Sequence, residues 1–289
     1  AGRPRRADLG SCLSAIADKF NANADCDFTV HLRVEEVDVL RGRPLHDLLP
    51  EARRKDYLQG IRSGRHAASI IAPPCETHTR ARHANRNGPP PLRSKAWPRG
   101  LPGLTPAQRE QLRRSNLLAD FAIEALEASV DSGMLTLMEF PEDLGPARLG
   151  HPASLWQDKR LIAMKSKATR GAILQSDFDK LSYVKPTGLI TTIPSLIKDD
   201  RFYEGWPKFN DDIKYVGPLP QRRADDARPG LIGKNPDGSF RKGPSAAYGP
   251  GLCMCLAGHI FHSWYSMVTT SGVLEAPVAG EGRLAAPVL

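Results

Sequence analysis

The chain has 289 residues, 40 Lys+Arg against 32 Asp+Glu, a formal net charge of +8 and a pI near 9.4, enough length for one large α/β domain or two small ones. The basic balance points to an anionic partner, nucleic acid being the commonest, although a solvated basic surface gives the same numbers. Five scattered cysteines fit free thiols in a reducing, intracellular compartment better than a disulfide scaffold, and no apolar run reaches membrane-span length.

Residues 1–26 read as a partly disordered N-terminal segment. Phe28, Val30, Leu32 and Val34 then alternate strictly, followed by Val37 and Val39, which predicts a strand over 27–40 kinked near Glu35 and Glu36. Arg41-Gly42-Arg43-Pro44 breaks it, and a helix is expected from Leu45 to Arg62, closed by Gly64. Ala67 to Ala72, with Ile70 and Ile71, reads as a strand buried on both faces and ended by Pro73-Pro74. Residues 73–104 are rich in Pro, Gly, Arg and Asn, and a loop of that length is usually functional.

Thr105-Pro106-Ala107-Gln108 combines an N-cap, Pro at the first helical position and a capping-box Gln. Leu112, Leu117, Leu118, Phe121, Ala122, Leu126 and Val130 recur at helical spacing, and Gly133 supplies the stop. Leu135 to Glu139 is a further strand. Strand, loop, helix and strand make one βαβ crossover, so the two strands are expected to be parallel. Beyond it, Pro152 to Lys165 reads as helix, Gly171 to Phe178 and Gly188 to Ile193 as a strand pair, and 199–250 as loop with a hairpin turn at Asp237-Gly238. Leu252 to Val268 suggests a final helix. The expected organisation is therefore an α/β core over 27–198, a loop-rich C-terminal extension over 199–270 and a disordered tail over 271–289.

In an open parallel sheet, ligands bind outside the carboxyl ends of the strands. Two such ends carry reactive groups: Pro73-Pro74-Cys75-Glu76-Thr77 and Glu139-Phe140-Pro141-Glu142. A thiolate at Cys75 is an effective nucleophile, favoured by nearby cations such as Arg80 or Arg82. A carboxyl group at Glu139 can hydrogen-bond or protonate a substrate as charge develops.

At these residues the chain resembles the cytosine-C5 DNA methyltransferases. Pro73-Pro74-Cys75 is similar to that family's Pro-Cys nucleophile motif, and Thr77-His78-Thr79-Arg80-Ala81-Arg82 to its polar and Arg continuation. Leu137-Met138-Glu139 resembles the strand that delivers the Glu-Asn-Val motif. Gln175 and Lys185-Pro186-Thr187 resemble, more loosely, the late motif whose basic residues support the site. The resemblance implies a Rossmann-like, S-adenosylmethionine-dependent methyltransferase fold, lacking its first strand, with an irregular C-terminal extension. It implies Cys75 as the nucleophile adding to C6 of a flipped cytosine, Glu139 engaging N3, Arg80 or Arg82 organising the site, and S-adenosylmethionine donating methyl to C5. The partner would be DNA and the setting nuclear.

A broader resemblance runs from Pro73 through Pro91-Leu92-Arg93-Ser94, Gly100 to Thr105, Pro141-Glu142-Asp143-Leu144-Gly145, Tyr215 to Pro220 and Ala246-Ala247-Tyr248. It is to methyltransferase-like proteins of protist genomes, often associated with mobile elements, and it speaks of descent rather than activity. Residues 1–27 hold no counterpart of the family's Gly-rich cofactor turn, and Phe140 stands where the family carries Asn. Pro73 and one of Glu35, Glu36 or Asp38 are the candidate cofactor contacts. The expected function is a cytosine-C5 DNA methyltransferase-like protein, truncated or inactive, with a non-catalytic nucleic-acid-binding protein as the alternative.

Other charged residues read more plainly. Glu142 and Asp143 suit the first turn of a helix, and Arg93, Arg99, Arg109, Arg113 and Arg114 a phosphate-tracking or solvated face. Cys253-Met254-Cys255 with His259 and His262 invites a zinc reading, but Cys253 and Cys255 fall on different helix faces, so no metal is expected.

Overall fold

The structure, a computed structural model, describes residues 8–23, 28–38, 42–84, 88–179, 184–221 and 248–270. Val39, the Asp237-Gly238 turn and the tail from Ser271 lie outside the described residues. Where partial disorder is expected, Leu9–Asn21 forms a helix (α1), N-capped by Asp8, whose side chain accepts from Ser11 N at 2.8 Å. The predicted strand over 27–40 does not form among the described residues 28–38, which join no described sheet. At Val30 the Asn21 side chain takes the place of a neighbouring strand, accepting from Val30 N at 2.8 Å and donating to Val30 O at 2.9 Å. The alternation of Phe28, Val30 and Leu32 reflects burial on one side, against the core that α1 covers.

The helix expected from Leu45 divides into a 3-10 turn at Arg43–His46 and Glu51–Arg62 (α2), because Pro50 holds its predecessor extended. Ala68–Ile71 (β1), Pro106–Asp131 (α3) and Leu135–Pro141 (β2) form the expected crossover, with β1 and β2 parallel from Ala68 opposite Leu135 to Ile71 opposite Met138. The capping box at Thr105 and Gln108 is present in both directions, and Gly133 ends the helix region at φ 71°. β1 is half-buried, not buried on both faces, since in the described sheet it pairs with β2 alone.

The helix expected over 152–165 is broken into 3-10 turns around Lys159–Ala163 (α4). Thr169–Leu174 (β3) and Pro186–Thr191 (β4) are the expected pair, antiparallel. Pro194–Ile197 (α5), Tyr203–Glu204 (β5), Lys208–Phe209 (β6) and Tyr215–Gly217 (β7) follow, and Pro250–Thr270 (α6) is the last described helix.

The main sheet has the order β1-β2-β4-β3-β5. β2 with β4, β4 with β3, and β3 with β5 are antiparallel, so β1, β2 and β3 share one direction while β4 and β5 run against it. The fold is therefore mixed α/β, not an all-parallel sheet. Period-two alternation sends Leu135 and Leu137 to one face, where α1 and α6 pack, and Met138 and Phe140 to the other, against α3 and the Trp156–Met164 segment. α2 covers the outer side of α3 through Leu58 and Ile61. α6 is thus a core helix, and one cluster joins Leu13 to Leu189 and Trp264 across the boundaries expected near 26 and 198.

Candidate active site

Cys75 stands at the carboxyl end of β1, on a loop pinned to α3. Glu76 Oε1 accepts from Gln111 Nε2 at 2.8 Å, Thr77 Oγ1 lies 2.7 Å from Ser115 Oγ, and His78 N donates to Cys75 O at 3.0 Å. Glu139, in β2, shares parity with Leu135 and Leu137 and so faces the α6 layer. Lys185 immediately precedes β4. Because β4 runs antiparallel to β2, Lys185 arrives at the same sheet end as Cys75. Buried Gln175 helps to fix this start: its backbone N–H donates to Lys185 O and its amide to Thr187 Oγ1, at 3.1 and 3.0 Å.

Tyr248 completes the group from just before α6. That helix start is held by Asp179, whose carboxylate accepts from Gly251 N at 2.7 Å and Leu252 N at 3.1 Å. The Tyr248 ring lies under the Lys185 ammonium, 6.0 Å from the centroid. Its hydroxyl is buried beside the Glu139 carboxyl, and burial first, then the charge of Glu139 and, more weakly, that of Cys75, raise its pKa.

Electrostatics couple the four residues. Burial raises the Glu139 pKa, opposed by Lys185 and then Tyr248. Cys75 has an exposed surface but is ringed by protein atoms, and this loss of water raises its thiol pKa. The Glu139 charge raises it further, while Lys185 lowers it. A protonated Glu139 therefore leaves Lys185 as the larger charge influence on the thiol, opposing the upward shift that burial imposes.

Arg80 and Arg82 are engaged elsewhere. Arg80 donates to Gly145 O and Pro146 O, and Arg82 to Glu76 O at 2.9 Å and Pro90 O at 3.0 Å. Both pin loops, and the cation beside Cys75 is Lys185 instead. Phe140 faces away from Glu139, edge-on to His78 and Trp156 at 5.2 and 6.4 Å between centroids. Of the arginines expected on a phosphate-tracking or solvated face, Arg93 is 2 % exposed, while Arg99 pairs with Asp120 at 2.7 Å and Arg113 with Glu110 at 2.7 Å on the surface. Glu142 and Asp143 cap no helix; Glu142 forms a buried pair with Arg170, and Asp143 accepts from Gly145 N and Gln157 Nε2.

The candidate cofactor contacts do not fit S-adenosylmethionine. A cradle for its ribose needs a carboxylate at the carboxyl end of a strand, beside backbone N–H groups. Glu35, Glu36 and Asp38 instead lie exposed on the 28–38 segment, outside the described sheets. Glu35 interacts with Tyr57 of α2, and Glu36 Oε1 lies over α1, 2.9 Å from where a Cβ on Gly10 would stand. Asp38 anchors a turn through its backbone, to His46 Nδ1 and Gly42 N. Pro73 is buried directly after β1. A groove of about 390 Å³ does exist, but it runs along α2 and α3 between Arg54, Asn116, Asp120 and Glu124 and holds none of these residues.

Cys75, Glu139 and Lys185 all stood out in motifs. Tyr248 stands in the sequence only within the Ala246-Ala247-Tyr248 stretch of the broader resemblance, with nothing local to mark it as a site residue. No protein-family model, curated protein or solved structure matches the chain.

Proposed function

We propose that the chain is a cytosine-C5 DNA methyltransferase-like protein with a degenerate cofactor site, whose base-engaging chemistry rests on Cys75 and Glu139. The observation that carries this reading is the meeting of Cys75, Glu139, Lys185 and Tyr248 at one sheet end, from four separate stretches of chain. β1, β2 and β3 share one direction, and the thiol and carboxyl sit toward the carboxyl ends of two of them, as ligand binding on a Rossmann-like sheet requires.

The chemistry follows from the two groups. A cytosine must leave the stack to reach a nucleophile. The Cys75 thiolate adds to C6, forming the S–C6 bond and pushing the C5–C6 π pair into the ring. Glu139, protonated more readily because of burial, gives its proton to N3 as negative charge accumulates there. Lys185 offsets the charge on the thiolate before attack and on Glu139 afterwards. In the resembled family S-adenosylmethionine then supplies methyl to C5. The residues described here do not fit that cofactor, so no step is routed through it.

The adduct can be tested without a cofactor, because a C6 adduct makes C5 an enamine carbon that picks up solvent hydrogen. The expected result is deuterium incorporation at cytosine C5 of DNA in heavy water, abolished by Cys75→Ser and reduced by Glu139→Gln. Absence of exchange with a folded sample overturns the catalytic reading. The misfit of the cofactor residues, with the net charge of +8, favours one second reading, a non-catalytic nucleic-acid-binding protein. It predicts DNA affinity that falls steeply with salt and is indifferent to Cys75.

A further inference from the structure

A second cluster of reactive side chains lies where β4 leaves the sheet, at the end opposite Lys185. Asp199 follows α5, while Cys255 and His259, four residues apart, share a face of α6. One donor atom from each lies within 4.8 Å of the others. His259 Nε2 is 3.0 Å and Cys255 Sγ 3.7 Å from the same oxygen, Asp199 Oδ2. Cys253 is buried and His262 exposed on other sides of the helix, so the ligand set differs from the one the local sequence suggests. Asp199 supplies the donor that the sequence spacing cannot reveal.

We propose that Asp199, Cys255 and His259 form a zinc site with one coordination position open to solvent. Tetrahedral zinc, with bonds of about 2.0 Å to oxygen and nitrogen and about 2.3 Å to sulfur, sets oxygen about 3.3 Å from nitrogen and about 3.5 Å from sulfur. The observed spacings of 3.0 and 3.7 Å need only small adjustments. The other imidazole nitrogen, His259 Nδ1, is 3.1 Å from Ser195 Oγ, the outer-shell contact that orients a ligating histidine. Ser195 is itself fixed by His259 O at 3.0 Å and Ser263 Oγ at 2.9 Å.

Arg201 occupies the cation position in the structure. Its Nη2 is 2.6 Å from Asp199 Oδ2 and 3.3 Å from Cys255 Sγ, while Nε holds Oδ1 at 2.8 Å. The side chain is 40 % exposed, with its guanidinium carbon 4.1 Å from the Phe178 ring centroid, so metal takes Oδ2 once Nη2 gives up its contacts there and turns toward solvent. Arg201 is therefore a competitor that sets the affinity. Zinc suits the mixed oxygen, nitrogen and sulfur donors, whereas magnesium and calcium prefer oxygen alone.

The test is titration of the full chain with Co(II), a spectroscopic stand-in, followed by displacement with Zn(II). The expected result is one equivalent bound, with a thiolate-to-cobalt charge-transfer band and four-coordinate visible absorption, both lost on adding zinc. Cys255→Ser removes the charge-transfer band and His259→Gln weakens binding, with circular dichroism confirming the fold of each. Ser195→Ala weakens zinc binding about 10- to 100-fold, and Arg201→Gln tightens it. Cys75→Ser leaves the spectrum unchanged. A folded chain that gives no charge-transfer band, or a band that survives Cys255→Ser, overturns the proposal.

Discussion

Arg93 Nη1 lies 2.9 Å from His78 Nε2 inside a buried cluster whose other members, Thr77, Ser115, Asn116 and Pro98 O, are all neutral. Arginine only donates, so His78 Nε2 accepts and the ring proton belongs on Nδ1. Burial, and then the charge of Arg93, push His78 down to about 3. The guanidinium thus acts as a strut between the Cys75 loop and α3, through Thr77 and Ser115, and is out of reach of a phosphate backbone.

His78 gives the first prediction. An unfolded histidine takes its proton near pH 6.5, and the folded one only near 3. Between those values the unfolded chain binds more protons, so this group's stabilisation is complete above pH 6.5 and is lost as pH falls toward 3. The slope reaches about 1.4 kcal/mol per pH unit. Urea denaturation at several pH values between 4 and 7 should show a shallower acid dependence for His78→Gln than for the unaltered chain. Equal slopes would remove His78 from the account.

The buried pair of Arg170 and Glu142 gives the second. Both side chains are 1 % exposed or less; Tyr215 donates to Glu142 at 2.9 Å, and Trp156 lies 4.7 Å from the guanidinium carbon. Arg170→Met strands a buried carboxylate and is expected to cost about 3–5 kcal/mol. Adding Glu142→Leu should recover much of that loss. Denaturation midpoints of the two single variants and the double variant check it.

Gly188 touches the same pair. A Cβ there would stand 2.6 Å from Arg170 Nη2 and 2.7 Å from Glu142 Oε2 and Trp156 Cε2. None of these is free to move, since each is locked by the others. Gly188→Ala should therefore destabilise by at least about 1–3 kcal/mol, the usual cost of overpacking. A calorimetric melt that is unchanged would contradict this tight approach.

Thiol reactivity checks the electrostatic coupling at the candidate site. Glu139→Gln removes a charge that raises the Cys75 pKa, and Lys185→Met removes one that lowers it. The pH midpoint for alkylation of Cys75, followed by peptide mass spectrometry, should move down in the first variant and up in the second. Shifts in the same direction, or none, would mean that the three groups do not sense one another.

Local signals specify structure where the chain satisfies its own needs nearby. The capping box at Thr105, the apolar spacing through Leu126 and the stop at Gly133 made α3 and its flanking strands legible, because caps and periodicity are short-range. They failed at 28–38. There the alternation reflects one-sided burial, Asn21 takes both backbone groups of Val30, and no ladder forms among the described residues. They failed again at α4, where the expected helix is divided into single turns.

Short-range patterning suffices for the β1-α3-β2 crossover, the β3–β4 pair, the last helix, and the position of Cys75 and Glu139 toward two parallel strand ends. Tertiary structure decided what surrounds them. The reversal of β4 brings Lys185 rather than Arg80 or Arg82 beside the thiol, and the packing of α6 on the Glu139 face brings Tyr248. It also brings Asp199 to Cys255 and His259. The physical reason is common to all three. Periodicity and caps report a residue's relation to its own element, whereas strand order and helix docking, set by burial of apolar faces far apart in the chain, decide which elements meet.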